Sequence, residues 1–156
     1  MSIACFSPTV NTTGLVFTHP NGLVKRTTFH VFKLYTNDLL PLMQPSETAC
    51  CPLMCGKHAV NALDTVVTTD AQRTHFVVAV VNKDPIRTLP LTIDFASLGR
   101  PTPASLSAKV LAGDSPDAYN DVGTENRVKP EAQTWKVAAD GQVQVPPHAV
   151  CIVRID

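Results

Sequence analysis

From Ala59 to the end, the chain repeats one pattern: short stretches that read as strands, separated by turn-forming clusters. The strands are expected near Val60–Thr69, His75–Asn82, Leu89–Phe95, Leu106–Gly113, Gln133–Val137, Gln142–Val145 and Ala149–Ile155. Several alternate with period two. Leu91, Ile93 and Phe95 oppose Thr92 and Asp94, and Leu106, Ala108 and Val110 oppose Ser105, Ser107 and Lys109. Phe76 to Val81 is instead an unbroken apolar run, the pattern of a central strand covered on both faces. Asn82-Lys83-Asp84-Pro85 and Asp140-Gly141 supply turn chemistry. Seven such strands predict a mainly β fold, an antiparallel β-sandwich of jelly-roll-like kind.

The first 58 residues follow different rules. A short apolar stretch is followed by Asn11-Thr12-Thr13-Gly14, then by Leu15, Val16 and Phe17, and then by a His19-Pro20-Asn21-Gly22 turn. Residues 22–40 read as a helix, with a polar stripe of Arg26, His30, Lys33 and Asn37. Val31, Leu34, Tyr35 and Leu39 lie largely opposite, with Phe32 between. Thr27 or Thr28 is placed to cap the first turn, and Pro41 ends the helix. Residues 41–58 are rich in Pro, Cys and Met without periodicity and read as a linker or surface excursion. The expected organisation is a strand–helix segment over 1–40, a connector over 41–58 and a sandwich over 59–156.

Composition excludes several function classes. Thirteen Lys and Arg balance thirteen Asp and Glu, and no basic run occurs, which argues against nucleic-acid or anionic-membrane partners. No stretch of about twenty apolar residues is present to span a membrane. Residues Met1 to Val10 lack the charged-then-apolar order of a secretory leader. The five cysteines, Cys5, Cys50, Cys51, Cys55 and Cys151, are odd in number and irregularly spaced, so free thiols and a cytoplasmic location are expected. Cys50, Cys51 and Cys55 beside His58 raise a zinc site, but the second ligand pair is missing. Asp114, Asp117 and Asp121 raise calcium, but their spacing is not that of an EF-hand. No cofactor or metal is expected, and neither a P-loop nor a dinucleotide fingerprint occurs.

Two stretches resemble one enzyme family. Residues 8–32 run Pro-Thr-Val-Asn-Thr-Thr-Gly-Leu-Val-Phe-Thr-His-Pro-Asn-Gly-Leu-Val-Lys-Arg-Thr-Thr-Phe-His-Val-Phe. They resemble the last barrel strand and last helix of the α-L-arabinofuranosidases of glycoside hydrolase family 51. Val80-Val81-Asn82-Lys83-Asp84-Pro85, then Gly113 to Asp121, then Asn126-Arg127-Val128, resemble that family's C-terminal sandwich in the same order. The resemblance implies a (β/α)8 catalytic barrel followed by a sandwich, with residues 1–40 left from the barrel. It also implies retaining hydrolysis of terminal α-L-arabinofuranosyl groups from arabinan or arabinoxylan, using two glutamates about 5 Å apart. In the family those glutamates sit on earlier barrel strands, before the part this chain matches. The sequence holds only Glu47, Glu125 and Glu131, none following an apolar strand in an Asn-Glu setting. The chain itself is therefore expected to be non-catalytic and structural. Its expected partners are the barrel, a homo-oligomer and an arabinose-containing glycan.

Four residues are candidates for sugar contact. On the resemblance, Asn11 and Thr12 end the last barrel strand, on the face where barrels keep their active sites. Trp135, the single tryptophan, and Tyr119, in the long loop from Gly113 to Gly123, are candidate stacking rings. They also carry the alternative reading, a stand-alone carbohydrate-binding module, which requires one ring to be exposed. The five histidines, His19, His30, His58, His75 and His148, form no recognisable catalytic arrangement in sequence order. A further expectation concerns the helix: its apolar stripe must pack on the sandwich or on a second copy of the chain.

Overall fold

The computed structural model describes residues 7–156. Cys5 and the first six residues of the leader reading lie outside the described residues. The fold is mainly β, as the periodicity predicts. Strands β1 (Val16–His19) and β2 (Gly22–Lys25) form a hairpin, followed by helix α1 (Thr27–Asp38). Then come β3 (Leu42–Gln44), the hairpin β4 (Pro52–Cys55) and β5 (His58–Asn61), β6 (Leu63–Thr69) and β7 (Phe76–Asn82). The chain continues through β8 (Leu89–Thr92), a short 3-10 turn (Ala96–Leu98), β9 (Ser105–Leu111), β10 (Pro130–Lys136), β11 (Gln142–Val145) and β12 (Val150–Ile155).

One antiparallel sheet organises the molecule, in the order β10-β9-β12-β7-β6-β3. A second sheet, β8 with β11, lies over one face. The core between them gathers Phe76, Val78 and Val80 with Ala108, Val143, Val145, Cys151 and Val153. The opposite face of the large sheet carries a second cluster, Val77, Ala79, Leu111, Ile152 and Val128 under Leu34 of α1. This explains the unbroken run in β7. Its alternate residues serve two cores, so none of Phe76 to Val80 meets water.

The helix settles its own expectation. Its apolar stripe packs on the sheet through Leu34, with Val31, Tyr35 and Leu39 at the margin. Asp38, in its last turn, is buried on the same face and receives Lys109 Nζ of β9 at 2.5 Å and Arg154 of β12 at 3.0 Å. Alternation in β9 and β12 puts Lys109 beside Leu111 and Arg154 beside Ile152, on the helix side. The Leu40 N–H, just past the helix, donates to the Thr68 hydroxyl of β6 at 3.0 Å.

Three local expectations are corrected. The helix begins at Thr27, not at residue 22: Gly22–Lys25 is a strand paired with Val16–His19 around Pro20-Asn21. Val24 is fully buried in that pairing, and Arg26 is extended (φ −66°, ψ 163°), so helical geometry cannot start earlier. Arg26 is the N-cap and makes no side-chain cap bond, while the Thr27 hydroxyl oxygen is buried without a hydrogen-bond partner among the described residues. Neither threonine caps. The connector is not plain linker either. It contributes the edge strand β3 to the large sheet and the hairpin β4–β5, both too short for their alternation to register in sequence.

Asn82 joins the layers. Fully buried at the end of β7, its side-chain amide faces the carbonyl oxygens of Arg87, Val145 and Pro146 at 2.8–3.1 Å and accepts the Asp84 N–H at 2.9 Å. Asp84 in turn accepts Ile86 N–H, Arg87 N–H and Arg87 Nε at 2.9, 2.8 and 2.6 Å. Those backbone donors, first Arg87 and then Ile86, hold its carboxyl down at about 2.

Candidate functional site

The long loop after β9 reaches back to the start of the chain. Asn120, buried, donates to the carbonyl of Lys25, the last residue of β2, at 2.9 Å. The same amide donates to Val128 O at 2.8 Å, and its oxygen accepts the Val128 N–H at 2.7 Å. At the loop's base, Asp114 and Arg127 form a two-pronged ion pair at 2.8–3.2 Å. His148, in left-handed backbone (φ +41°), sets Nδ1 3.0 Å from Pro85 O and Nε2 3.1 Å from Gly113 O. The loop is thus tied at Gly113, at Asn120 and at Arg127.

Beside Asn120 the loop lines a hollow of about 300 Å³ with Tyr119 and Asp121. The facing residues are Thr13, from the turn after Asn11, and Arg26, Thr27 and Thr28, from the start of α1. Tyr119 is 60% exposed while Asn120 is 3% exposed. The Arg26 guanidinium sits 5.3 Å from the Phe17 ring centre. Asp121 accepts the Val122 N–H at 2.8 Å through one oxygen. Asn11 (φ +57°) and Thr12 (φ +46°) are exposed in left-handed backbone. The Asn11 side-chain oxygen accepts the N–H and hydroxyl of Thr18 at 2.8 and 3.0 Å, fixing the turn.

The structure therefore brings Thr13 and Tyr119 to one hollow, which Asn11 and Thr12 do not line, and leaves Trp135 elsewhere. Trp135, on β10, is buried in the core between the sheets and donates its indole N–H to Gln133 at 3.0 Å. Its ring offers no stacking platform. Residue type alone could not reveal this, but register can: Trp135 pairs with Leu106, whose face is apolar. Arg26, Thr27 and Thr28 do not stand out as site residues in sequence, because a helical stripe and its first turn account for them.

A larger cleft, about 470 Å³, opens between the sheets along residues 44–49, β6, β8 and the 3-10 turn. Glu47 and Asp94 are its carboxylates. Asp94 spends its oxygens on the Ser97 hydroxyl and N–H, at 2.5 and 3.1 Å, and these bonds hold its carboxyl below the usual range. Glu125 accepts the Gly123 N–H in the loop at 2.9 Å, and Glu131 is exposed on β10. The three glutamates thus sit on three separate segments. Among the described residues no group of three or more His, Cys, Asp and Glu side chains is arranged to hold a metal ion. Cys51 and Cys55 are exposed, Cys50 is half-buried, and burial raises the Cys151 thiol to about 12. No helix among the described residues is long and apolar enough to cross a membrane.

Comparison with solved structures finds the same architecture in family 51 enzymes. The arabinofuranosidase of Xanthomonas axonopodis pv. citri is 22% identical, with a TM-score of 0.74 over 94% of this chain and 30% of its own. AbfB of Bifidobacterium longum is 23% identical, with a TM-score of 0.75 over 94% of this chain and 28% of its own. The enzyme of Thermotoga petrophila is 20% identical, with a TM-score of 0.72 over 94% of this chain and 32% of its own. The chain spans less than a third of the length of each. Comparison with curated protein sequences finds no match. The profile of the α-L-arabinofuranosidase C-terminal domain family covers residues 1–149, taking in the hairpin, the helix and nearly all of the sandwich. By that match the chain belongs to the α-L-arabinofuranosidase C-terminal domain family.

Proposed function

We propose that this domain is the non-catalytic end of a retaining α-L-arabinofuranosidase, and that its work is to hold the last strand–helix segment of the catalytic barrel. On this reading residues 1–40 belong to the barrel, 41–58 connect, and 59–156 form the sandwich. The observation that carries it is the fastening of α1. One face of the helix shares a core with the large sheet, Asp38 is gripped by Lys109 and Arg154, and Asn120 holds the Lys25 carbonyl. A helix bound so firmly by a second layer is a fixed wall against which a barrel can close. Asn11 and Thr12 then stand at the barrel's catalytic face. The whole enzyme's substrate is a glycan bearing terminal arabinofuranosyl groups. Exposed thiols at Cys51 and Cys55 fit a reducing, cytoplasmic setting.

The test is hydrolysis of a chromogenic α-L-arabinofuranoside. The chain by itself is expected to give no turnover, and the intact enzyme carrying it to give turnover. Turnover by the chain, abolished by changing one of its own carboxylates, would overturn the non-catalytic assignment.

A further inference from the structure

We infer that the hollow between the Asn11–Gly14 turn, the start of α1 and Tyr119–Asp121 is a subsite for the leaving portion of a neutral glycan, with Tyr119 as its stacking ring. The inference rests on the reading of residues 1–40 as barrel. In a (β/α)8 barrel, the connection from each strand to its helix lies on the catalytic face. Here that connection runs from Asn11 through the β1–β2 hairpin to Arg26, and Thr13 near its start and Arg26 at its end line the hollow. Tyr119 and Asp121 arrive from the sandwich, 90 residues or so later in sequence. The sandwich thus lends an aromatic side chain to the rim of a site built by another domain.

Tyr119 is held ready for this. Its neighbour Asn120 is locked by three hydrogen bonds, one of them to the strand β2 on the other side of the hollow. At the loop's start a Cβ on Gly113 would come within 2.4 Å of the Ala118 Cβ, so the backbone before Tyr119 is drawn tight. An exposed ring on a fixed loop costs little entropy to engage.

The chemistry points to a polyhydroxylated ring. An aromatic face takes the C–H side of a sugar. Around it stand the Arg26 guanidinium as donor, the Asp121 carboxylate as acceptor and the hydroxyls of Thr13 and Thr28. Thr27 adds a buried hydroxyl that lacks a partner among the described residues. The one cation and one anion cancel, so the lining selects neither an anionic nor a cationic ligand. At about 300 Å³, the lower end of ligand pockets, it suits one or two rings. The reacting sugar of a retaining glycosidase lies between two barrel carboxylates. A loop reaching the rim from outside meets what projects from the barrel, which is the leaving side.

In the intact enzyme, Tyr119→Ala is expected to lower kcat/KM about tenfold on an arabinofuranosyl-substituted oligosaccharide of three or more sugars, mainly through KM. On 4-nitrophenyl α-L-arabinofuranoside, whose leaving group ends at one ring, the change is expected within about twofold. Tyr119→Phe, which keeps the ring face, is expected to retain most of the oligosaccharide activity. An unchanged kcat/KM on the oligosaccharide, or an equal loss on both substrates, overturns the subsite. If the unsubstituted enzyme hydrolyses neither substrate, the family activity itself fails and the subsite falls with it.

Discussion

Asp38 in the last turn of α1 and Arg154 on β12 stand 116 residues apart in sequence and 3.0 Å apart in space. Lys109 of β9 meets the same Asp38 oxygen. Replacing the carboxylate by Ala leaves two cations facing a lost partner. A fully buried pair would cost about 3–5 kcal/mol to break. The two cationic side chains are 45% and 42% exposed, so solvent screens part of this. Asp38→Ala is therefore expected to destabilise the chain by about 2 kcal/mol, read from the urea midpoint. An unchanged midpoint would mean that the apolar cluster alone holds the helix.

Acid is expected to weaken the joint around Asp84. Its folded carboxyl lies at about 2, below the about 4 of a free aspartate. Above about pH 4 the carboxylate is charged in folded and unfolded chains alike, and its stabilisation is fully present. As pH falls from about 4 toward 2 the unfolded chain takes up the proton first, and the contribution disappears. Asp70, held down by the Thr74 hydroxyl and His75, acts in the same direction. Urea midpoints should fall across this window, and Asp84→Asn should flatten part of the slope.

Two glycines separate the conformational cost of a side chain from its steric cost. Gly99 (φ +68°) has open space where a Cβ would go, whereas a Cβ on Gly141 (φ +82°) would come within 2.4 Å of the Ile93 carbonyl oxygen. Gly99→Ala is expected to cost about 1 kcal/mol, the penalty of left-handed backbone. Gly141→Ala is expected to cost at least about 2 kcal/mol, because backbone must also move. Thermal melting of the two variants compares them directly, and equal shifts would contradict the close approach.

Thiol labelling should sort the cysteines by position. Cys51 and Cys55 are expected to react quickly in the native protein, and Cys151 only in denaturant, since burial both shields its thiol and raises it to about 12. Mass mapping of alkylated peptides reads this out. Native labelling of Cys151 would show that the core opens locally.

The sandwich is legible because its longer strands show their period and its four-residue strand β11 alternates cleanly beside the Asp140-Gly141 turn. β9 alternates over six residues, Ser105 to Val110, and β7 is apolar from Phe76 to Val81, and both strands lie within a residue or two of where the pattern places them. What escaped were elements of three or four residues. Leu42–Gln44 and Pro52–Cys55 cannot complete enough alternations to stand out from loop. The β1–β2 hairpin was hidden by the helix behind it, since Leu23 and Val24 fit a helical stripe as readily as a strand. Of the candidate rings, Tyr119 reaches a hollow and Trp135 does not. The difference lies in the pairing of β10 with β9, a long-range fact that no local pattern encodes.

The fastening of α1 also decides where such a gene can be cut. A break placed in the connector, where sequence composition changes, would leave Lys109 and Arg154 without their shared carboxylate and bare Val77, Ala79 and Ile152 to water. Helix and sheet are therefore expected to keep their shape only when they are kept on one polypeptide. The unit that holds together therefore begins before the change in composition and includes α1.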